Sequence, residues 1–393
     1  MDAGARRLAR LLLVLGASAL LLPAAGAAAP DCRRHAARCS LAEVARESGV
    51  ATGAALPSAM RVRQRADLLA NFSALTTENA FKWGEMSPAR HSTSFATTDR
   101  MVAFATRHHL RLRAHNLFWH RYQVPDWVLG AVERSASPRA TLRSLMHRRI
   151  RAVVRRYAGR VAIWDVVNEP LAVFGAGYDT EDSAVTRRNV FFTTLGERYI
   201  DDAFRWTHRA DPRGRLFLNE VVWNPALGDP KADALLALVR RLKRRGVPIH
   251  GVGIQAHGVF GVAPPWFPAS EASLVRYLRA LSRLGVKVEI TELDVALPLL
   301  GGARDPLAAQ AAVYHRVAAA CGRVRACTGL TVWGLRDPDS WLDTDPIARA
   351  GAPNRPLLLD AAGLRKPAYR AVARGLLERC AGRHRRPCSE PWP

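Results

Sequence analysis

The feature that most constrains this chain is an alternation repeated along its length. Short apolar or β-branched runs end in polar residues, and amphipathic stretches separate most of them. Such runs cover 50–56, 75–78, 110–115, 162–169, 216–220, 252–257, 286–292 and 330–333. Helical periodicity marks 97–107, 138–157, 188–210, 231–245, 271–284 and 306–321, with a further helix from Leu41. Strands alternating with helices predict a parallel sheet, and eight such units predict closure. The expected fold class is therefore α/β, a single (β/α)8 or TIM barrel, and 393 residues suit it.

The ends of the chain read differently. Arg6, Arg7 and Arg10 precede an apolar run to about Leu22, and small residues close at Ala27-Ala28-Ala29. The run is too short to span a bilayer and fits a signal peptide over 1–29 better than a membrane anchor. Residues 30–50 read as a leader with Cys32 and Cys39, 41–380 as the catalytic barrel, and 381–393 as a basic, Pro-rich tail. Six cysteines fit an oxidising compartment and a secreted protein. They fall in the couples Cys32/Cys39, Cys321/Cys327 and Cys380/Cys388, and the spacing favours three short loops, with pairing between the two terminal couples as the alternative.

The formal charge is +24, and +22 remains without residues 1–29. Only five lysines are present, so arginine carries nearly all of it. The charge admits attraction to an acidic polymer, either a uronic-acid-bearing polysaccharide or nucleic acid. Arginine is nevertheless spread along the chain, as on an ordinary solvated surface, so no specific nucleic-acid partner is expected.

In a barrel of this type, functional side chains gather where strands end. Asn168-Glu169-Pro170 closes one strand, because Pro170 has no N–H for the ladder. In Val288-Glu289-Ile290-Thr291-Glu292, Glu292 ends the apolar run, while Glu289 can face in or out. These are strands 4 and 7, which face each other across the mouth. A single glutamate at a strand end is ordinarily a salt bridge or a helix cap. Two on opposed strands suit glycoside hydrolysis, which needs carboxyls on both sides of the scissile bond. Glu169 is the expected acid/base and Glu292 the expected nucleophile. An ionised Glu292 would raise the Glu169 pKa, and a donor such as His257 would help Glu292 stay charged.

The pattern resembles glycoside hydrolase family 10, the barrel endo-β-1,4-xylanases, from about residue 41 to 377. Glu78-Asn79-Ala80-Phe81-Lys82-Trp83 resembles the family's Glu-Asn-x-x-Lys-Trp. The likeness implies that Glu78 and Asn79 hold the second sugar on the non-reducing side, and Lys82 the sugar at the cleavage point. His115 would reach that sugar's 3-hydroxyl, Trp119 would floor it, and Asn168 would hold the 2-hydroxyl. Gln255 and His257 resemble the Gln-x-His of strand 6, with His257 bonded to the nucleophile. Trp333 and Trp341 resemble the tryptophans that wall the cleft, and Cys321 and Cys327 match a family disulfide.

A retaining double displacement on xylan follows, with xylan or xylo-oligosaccharide as the partner, no cofactor, no metal, no stable membrane association and a monomeric chain. Departures are Asn219-Glu220-Val221 where the family has Asn-Asp-Tyr, Ala114 before His115, the loop 260–267, and the cysteine-bearing ends. The lost aromatic at Val221 should weaken binding on the reducing side. Another β-glycan, or a cationic binding protein without catalysis, are the alternatives. Asn71-Phe72-Ser73 is an N-glycosylation sequon.

Overall fold

In a computed structural model, the description covers residues 31–121, 123–172, 177–179, 189–258, 270–300, 303–343 and 353–378. The expected signal peptide and basic tail, the Cys380/Cys388 couple and the loop 260–267 lie outside the described residues.

Eight parallel strands close on themselves: β1 (Ala51–Leu56), β2 (Ala74–Thr77), β3 (Arg111–Ala114), β4 (Ile163–Asn168), β5 (Arg215–Glu220), β6 (Gly251–Ile254), β7 (Lys287–Val295) and β8 (Cys327–Val332). β1 pairs with β8, with Ala51 opposite Gly329, which completes the ring. The expected (β/α)8 barrel is the observed one. A two-residue strand, His257–Gly258, adds to the end of β7 beside Asp294 and Val295.

The helices follow the sequence pattern with one correction. The stretch read as one helix over 188–210 is two, Val190–Leu195 and Arg198–Ala210. Gly196 separates them at φ 68° and ψ −172°, a backbone conformation that favours glycine, ends the helix and cannot be revealed by periodicity.

The barrel interior is filled at its base by charge. Glu289 faces inward and is 3% exposed. It accepts from Arg111 at 2.5 Å, Arg113 at 2.6 Å and Thr328 at 2.8 Å. Arg113 also donates to the buried Asp165. Small residues make room: a Cβ on Gly329 would fall 2.6 Å from the Glu289 carboxylate.

The helix Leu41–Ser48 opens with a capping box between Ser40 and Glu43. It sits on the C-terminal helix Pro367–Leu377, with the Leu41 amide donating to the Tyr369 hydroxyl at 2.9 Å. Cys32 and Cys39 are bonded to each other, as are Cys321 and Cys327. The alternative in which the two terminal couples cross-pair is thereby removed.

The Asn71 sequon is internal. Asn71 is 7% exposed, its Nδ2 donates to the Asp67 carbonyl at 2.9 Å, and its Oδ1 accepts from Tyr369 at 2.9 Å. A glycan on Nδ2 would have to be accommodated at a buried amide already bonded to the Asp67 carbonyl.

Removing one partner of a buried ion network leaves the others without compensation. Arg113→Met should therefore cost about 3–5 kcal/mol of unfolding free energy, measured by urea titration. An unchanged midpoint would contradict the account of the barrel base.

Candidate active site

Strand ends deliver the site. β4 ends at Asn168, and Glu169 adds one more rung, its amide donating to the Asn219 carbonyl at 2.9 Å. Glu169 then takes φ 51°, a strained value for a residue with a side chain, directly before Pro170. The turn is held from β5. The buried Glu220 accepts from the Leu171 amide at 3.1 Å and the Val221 amide at 2.9 Å, and Lys231 lies 3.2 Å from it. Burial pushes the Glu220 pKa up to about 7 against the pull of Lys231.

Three donors and one guanidinium surround the Glu169 carboxylate. Oε1 accepts from Gln255 at 2.7 Å and from Asn168 at 3.2 Å. Oε2 accepts from Trp119 Nε1 at 3.1 Å and lies 3.4 Å from Arg121 Nε. Arg121 is in turn ion-paired with the buried Asp179, which also engages His120 at 2.9 Å. His120 is thus accounted for by a carboxylate.

Glu292 is held on all sides. Asn219 Nδ2 donates to its Oε1 at 2.7 Å and to Asn168 Oδ1, also at 2.7 Å, so one amide ties the Glu292 side of the mouth to the Glu169 side. Thr291 fixes that amide by donating to Asn219 Oδ1 at 2.7 Å. His257 Nε2 is 3.0 Å from Glu292 Oε2, and its Nδ1 is 2.9 Å from Asp294 Oδ2. His115 Nδ1 is 3.0 Å from Asp165 and 3.9 Å from Glu292 Oε1.

The electrostatics follow from this list. Burial alone would raise the Glu292 pKa, but His115, His257 and the Asn219 bond outweigh it and hold the carboxylate below its ordinary value. Burial likewise pulls His257 down. The Asp294 charge and the bonds to Asp294 and Glu292 prevail, and the pKa is pushed up to about 10. Both ring nitrogens of His257 face carboxylate oxygens, which only the doubly protonated ring can satisfy.

The remaining sequence-expected residues join the same network. Lys82 donates to Asn79 at 2.7 Å, and Asn79 donates to Glu78 at 3.2 Å. Lys82 Nζ sits 4.7 Å from the centre of the Trp119 ring. Burial lowers the Lys82 pKa, while the charges of Glu292, Glu78 and Glu169 oppose that shift. Trp333 meets the His115 ring edge-on at 5.2 Å, and Trp341 meets His257 at 5.2 Å and donates to Asp294 at 3.0 Å.

Sequence reasoning did not single out Asn219, Asp294 or Arg149 as site residues. The first two stood in the strand-end motifs, where Asn219-Glu220 and Leu293-Asp294 were visible. Arg149 gave no signal. It reaches from the helix Pro138–Tyr157 to the carbonyls of Phe81 at 2.5 Å and Leu117 at 3.0 Å, next to the segments bearing Lys82 and Trp119.

Comparison with known proteins agrees with this architecture. The family model described as glycosyl hydrolase family 10 matches residues 40–375. Endo-1,4-beta-xylanase B of Humicola insolens is 35% identical over 309 residues, covering 78% of this chain and 79% of that protein. Beta-1,4-xylanase of Dictyoglomus thermophilum is 33% identical over 300 residues, 74% of this chain and 78% of that protein. The crystal structure of native xylanase 10B from Thermotoga maritima superposes with a TM-score of 0.73 at 29% identity, covering 86% of this chain and 98% of that one.

The raised pKa of His257 has a consequence for stability. A group whose folded pKa exceeds its unfolded value of about 6.5 stabilises fully below that pH and loses the contribution as pH rises through about 10. The stability gap between the protein and its His257→Asn variant should accordingly be larger at pH 6 than near pH 10, measured by denaturant unfolding. A gap that widens toward alkaline pH would contradict a protonated His257.

Proposed function

The chain belongs to glycosyl hydrolase family 10, and from that premise we propose that it is a secreted endo-β-1,4-xylanase working by a retaining double displacement. It is a glycoside hydrolase by family. The observation that carries the finer reading is the Asn168–Asn219 bridge, which links an anion-stabilised Glu292 to a Glu169 ringed by donors.

In the first step Glu292 attacks the anomeric carbon while Glu169 gives its proton to the departing oxygen. The C–O bond of the leaving chain breaks and a glycosyl ester forms. In the second step Glu169, now a carboxylate, takes a proton from water, which attacks the same carbon and frees Glu292. The sharing of Asn168 and Asn219 supports the close carboxylate pair that this route requires. His257, fixed by Asp294, keeps Glu292 anionic for attack. Glu78, Asn79, Lys82, His115 and Trp119 form the polar and aromatic surface suited to the sugars on the non-reducing side, with Trp333 and Trp341 as walls. Two disulfides in the described chain, and the sequence pattern of residues 1–29, support secretion.

Glu292→Ala should abolish hydrolysis of xylan, and added azide should restore turnover of an activated aryl xylobioside with an α-azide product. Glu169→Ala should lose about 10²–10⁴-fold on xylan, the usual worth of general acid–base catalysis, and far less on an activated leaving group. With azide it should give the β-azide. A β-azide from the Glu292 variant would reverse the assignment. A panel of xylan, mixed-linkage β-glucan and mannan, with products separated by chromatography, tests the substrate. Faster cleavage of glucan or mannan would refute the xylan reading.

A further inference from the structure

The helix Pro138–Tyr157 carries seven arginines and no carboxylate. It packs against Arg198–Ala210 on the outside of the barrel. Over this pair lies an open groove of about 760 Å³, in which Arg139, Arg143, Arg198, Arg205 and Arg245 face only Asp201 and Asp202.

Two of the five arginines are neutralised. Arg143 is 2.8 Å from Asp202, and Arg245 is 2.7 Å from Asp201 and 2.6 Å from Glu197. Arg139 and Arg205 spend donors on the carbonyls of Thr194 at 3.0 Å and Arg245 at 2.5 Å, which leaves their charge uncompensated. Neither they nor Arg198 enters an ion pair among the described residues, and Arg139 and Arg198 are exposed.

The positive field extends along the face. His147 is held below its usual pKa first by burial and then by Arg151, Arg209 and Arg155. Its ring meets Trp206 at 5.1 Å, and the Arg143 guanidinium lies 5.6 Å from the centre of the Trp206 ring.

We propose that this groove is a second polysaccharide site, remote from the barrel mouth, that takes the carboxylates of uronic-acid side chains on xylan. The proposal rests on the reading of the mouth as a xylanase cleft. Guanidinium forks match carboxylates in a bidentate manner, and three uncompensated arginines suit anions that recur every few sugars. A nucleic acid presents a charge about every 1.7 Å of duplex, and its phosphate row would run over Asp201 and Asp202. Holding the polymer at two places raises its local concentration at the mouth without any new contact there.

Arg139 and Arg198 lie in the first turn of their helices, where an acidic side chain is favourable to the helix dipole. R139E/R198E should therefore keep the fold. The test is affinity electrophoresis of both proteins in gels containing glucuronoxylan, unsubstituted linear xylan or short duplex DNA, at low and raised salt. Glucuronoxylan should retard the unaltered protein at least about tenfold more than the double variant, the fold-change of 1.4 kcal/mol. The difference should shrink with salt and be absent on linear xylan. R139K/R198K, which keeps the charge and loses the fork, should fall between the unaltered protein and R139E/R198E, and retardation equal to the unaltered protein would overturn the fork.

Equal retardation of the unaltered protein and R139E/R198E would overturn the proposal. So would duplex DNA that retards the protein as strongly as glucuronoxylan with the same dependence on these arginines. Hydrolysis of an aryl xylobioside, equal in both proteins, reads the mouth separately. If neither protein cleaves it, the reading of the mouth fails while gel retardation still judges the groove.

Discussion

A buried carboxylate is costly unless donors replace the water it loses, and the structure is organised around meeting that cost at Glu292. Its replacements come from different strands, Asn219 on β5 and His257 just past β6, with the His115 ring at the end of β3 adding charge from 3.9 Å. No helix or hairpin can bring groups from three such separate segments around one side chain. A closed parallel barrel can, because every strand ends on the same rim. Closure also settles the supporting carboxylates. Asp294 belongs to β7 and Asp165 to β4, so His257 and His115 are each oriented by an acid on another strand.

The same requirement explains why opposite charges are kept together at both ends of the barrel. At the base, Glu289 and Asp165 are matched by Arg111 and Arg113, with hydrogen bonds to nearly every available oxygen. Asp165 then connects the two ends, since its other oxygen meets His115. The interior is a polar column running from Glu289 through Arg113 and Asp165 to His115. Such a column is stable only when each member is satisfied, which makes its geometry strict and its products at the mouth well placed.

Much of this was legible in the sequence because strand endings are marked by chemistry. Asn168-Glu169-Pro170 combines a site residue with a ladder terminator, and Glu292 ends an apolar run. The spacing of the cysteines favoured the two local bonds that formed, but the inward turn of Glu289 and the break at Gly196 were not legible. Each depends on a neighbour distant in sequence or on a local φ. Asn219 shows the boundary well. Its place at a strand end was visible, but its bridging role needs the register that sets Asn219 opposite Asn168. Asn71 shows the reverse, since a surface motif in the sequence became an interior amide once Tyr369 and Arg365 came to meet it.

Arginine does several kinds of work in this chain, and burial separates them. Arg113 is enclosed with carboxylates and stays charged as part of an ion network. Arg149 is enclosed with carbonyls and no carboxylate, and burial pushes its pKa down to about 9. Its guanidinium also lies 5.3 Å from the centre of the Trp83 ring, so a planar, weakly hydrated cation suits the place better than an ammonium would. By fixing the backbone at Phe81 and Leu117, it orders the loops that present Lys82 and Trp119. Elsewhere on the same helix, Arg139 and Arg143 meet solvent. One amphipathic helix therefore serves the mouth through its inner face while its outer face gives the molecule its positive surface, and the two roles need no residue in common.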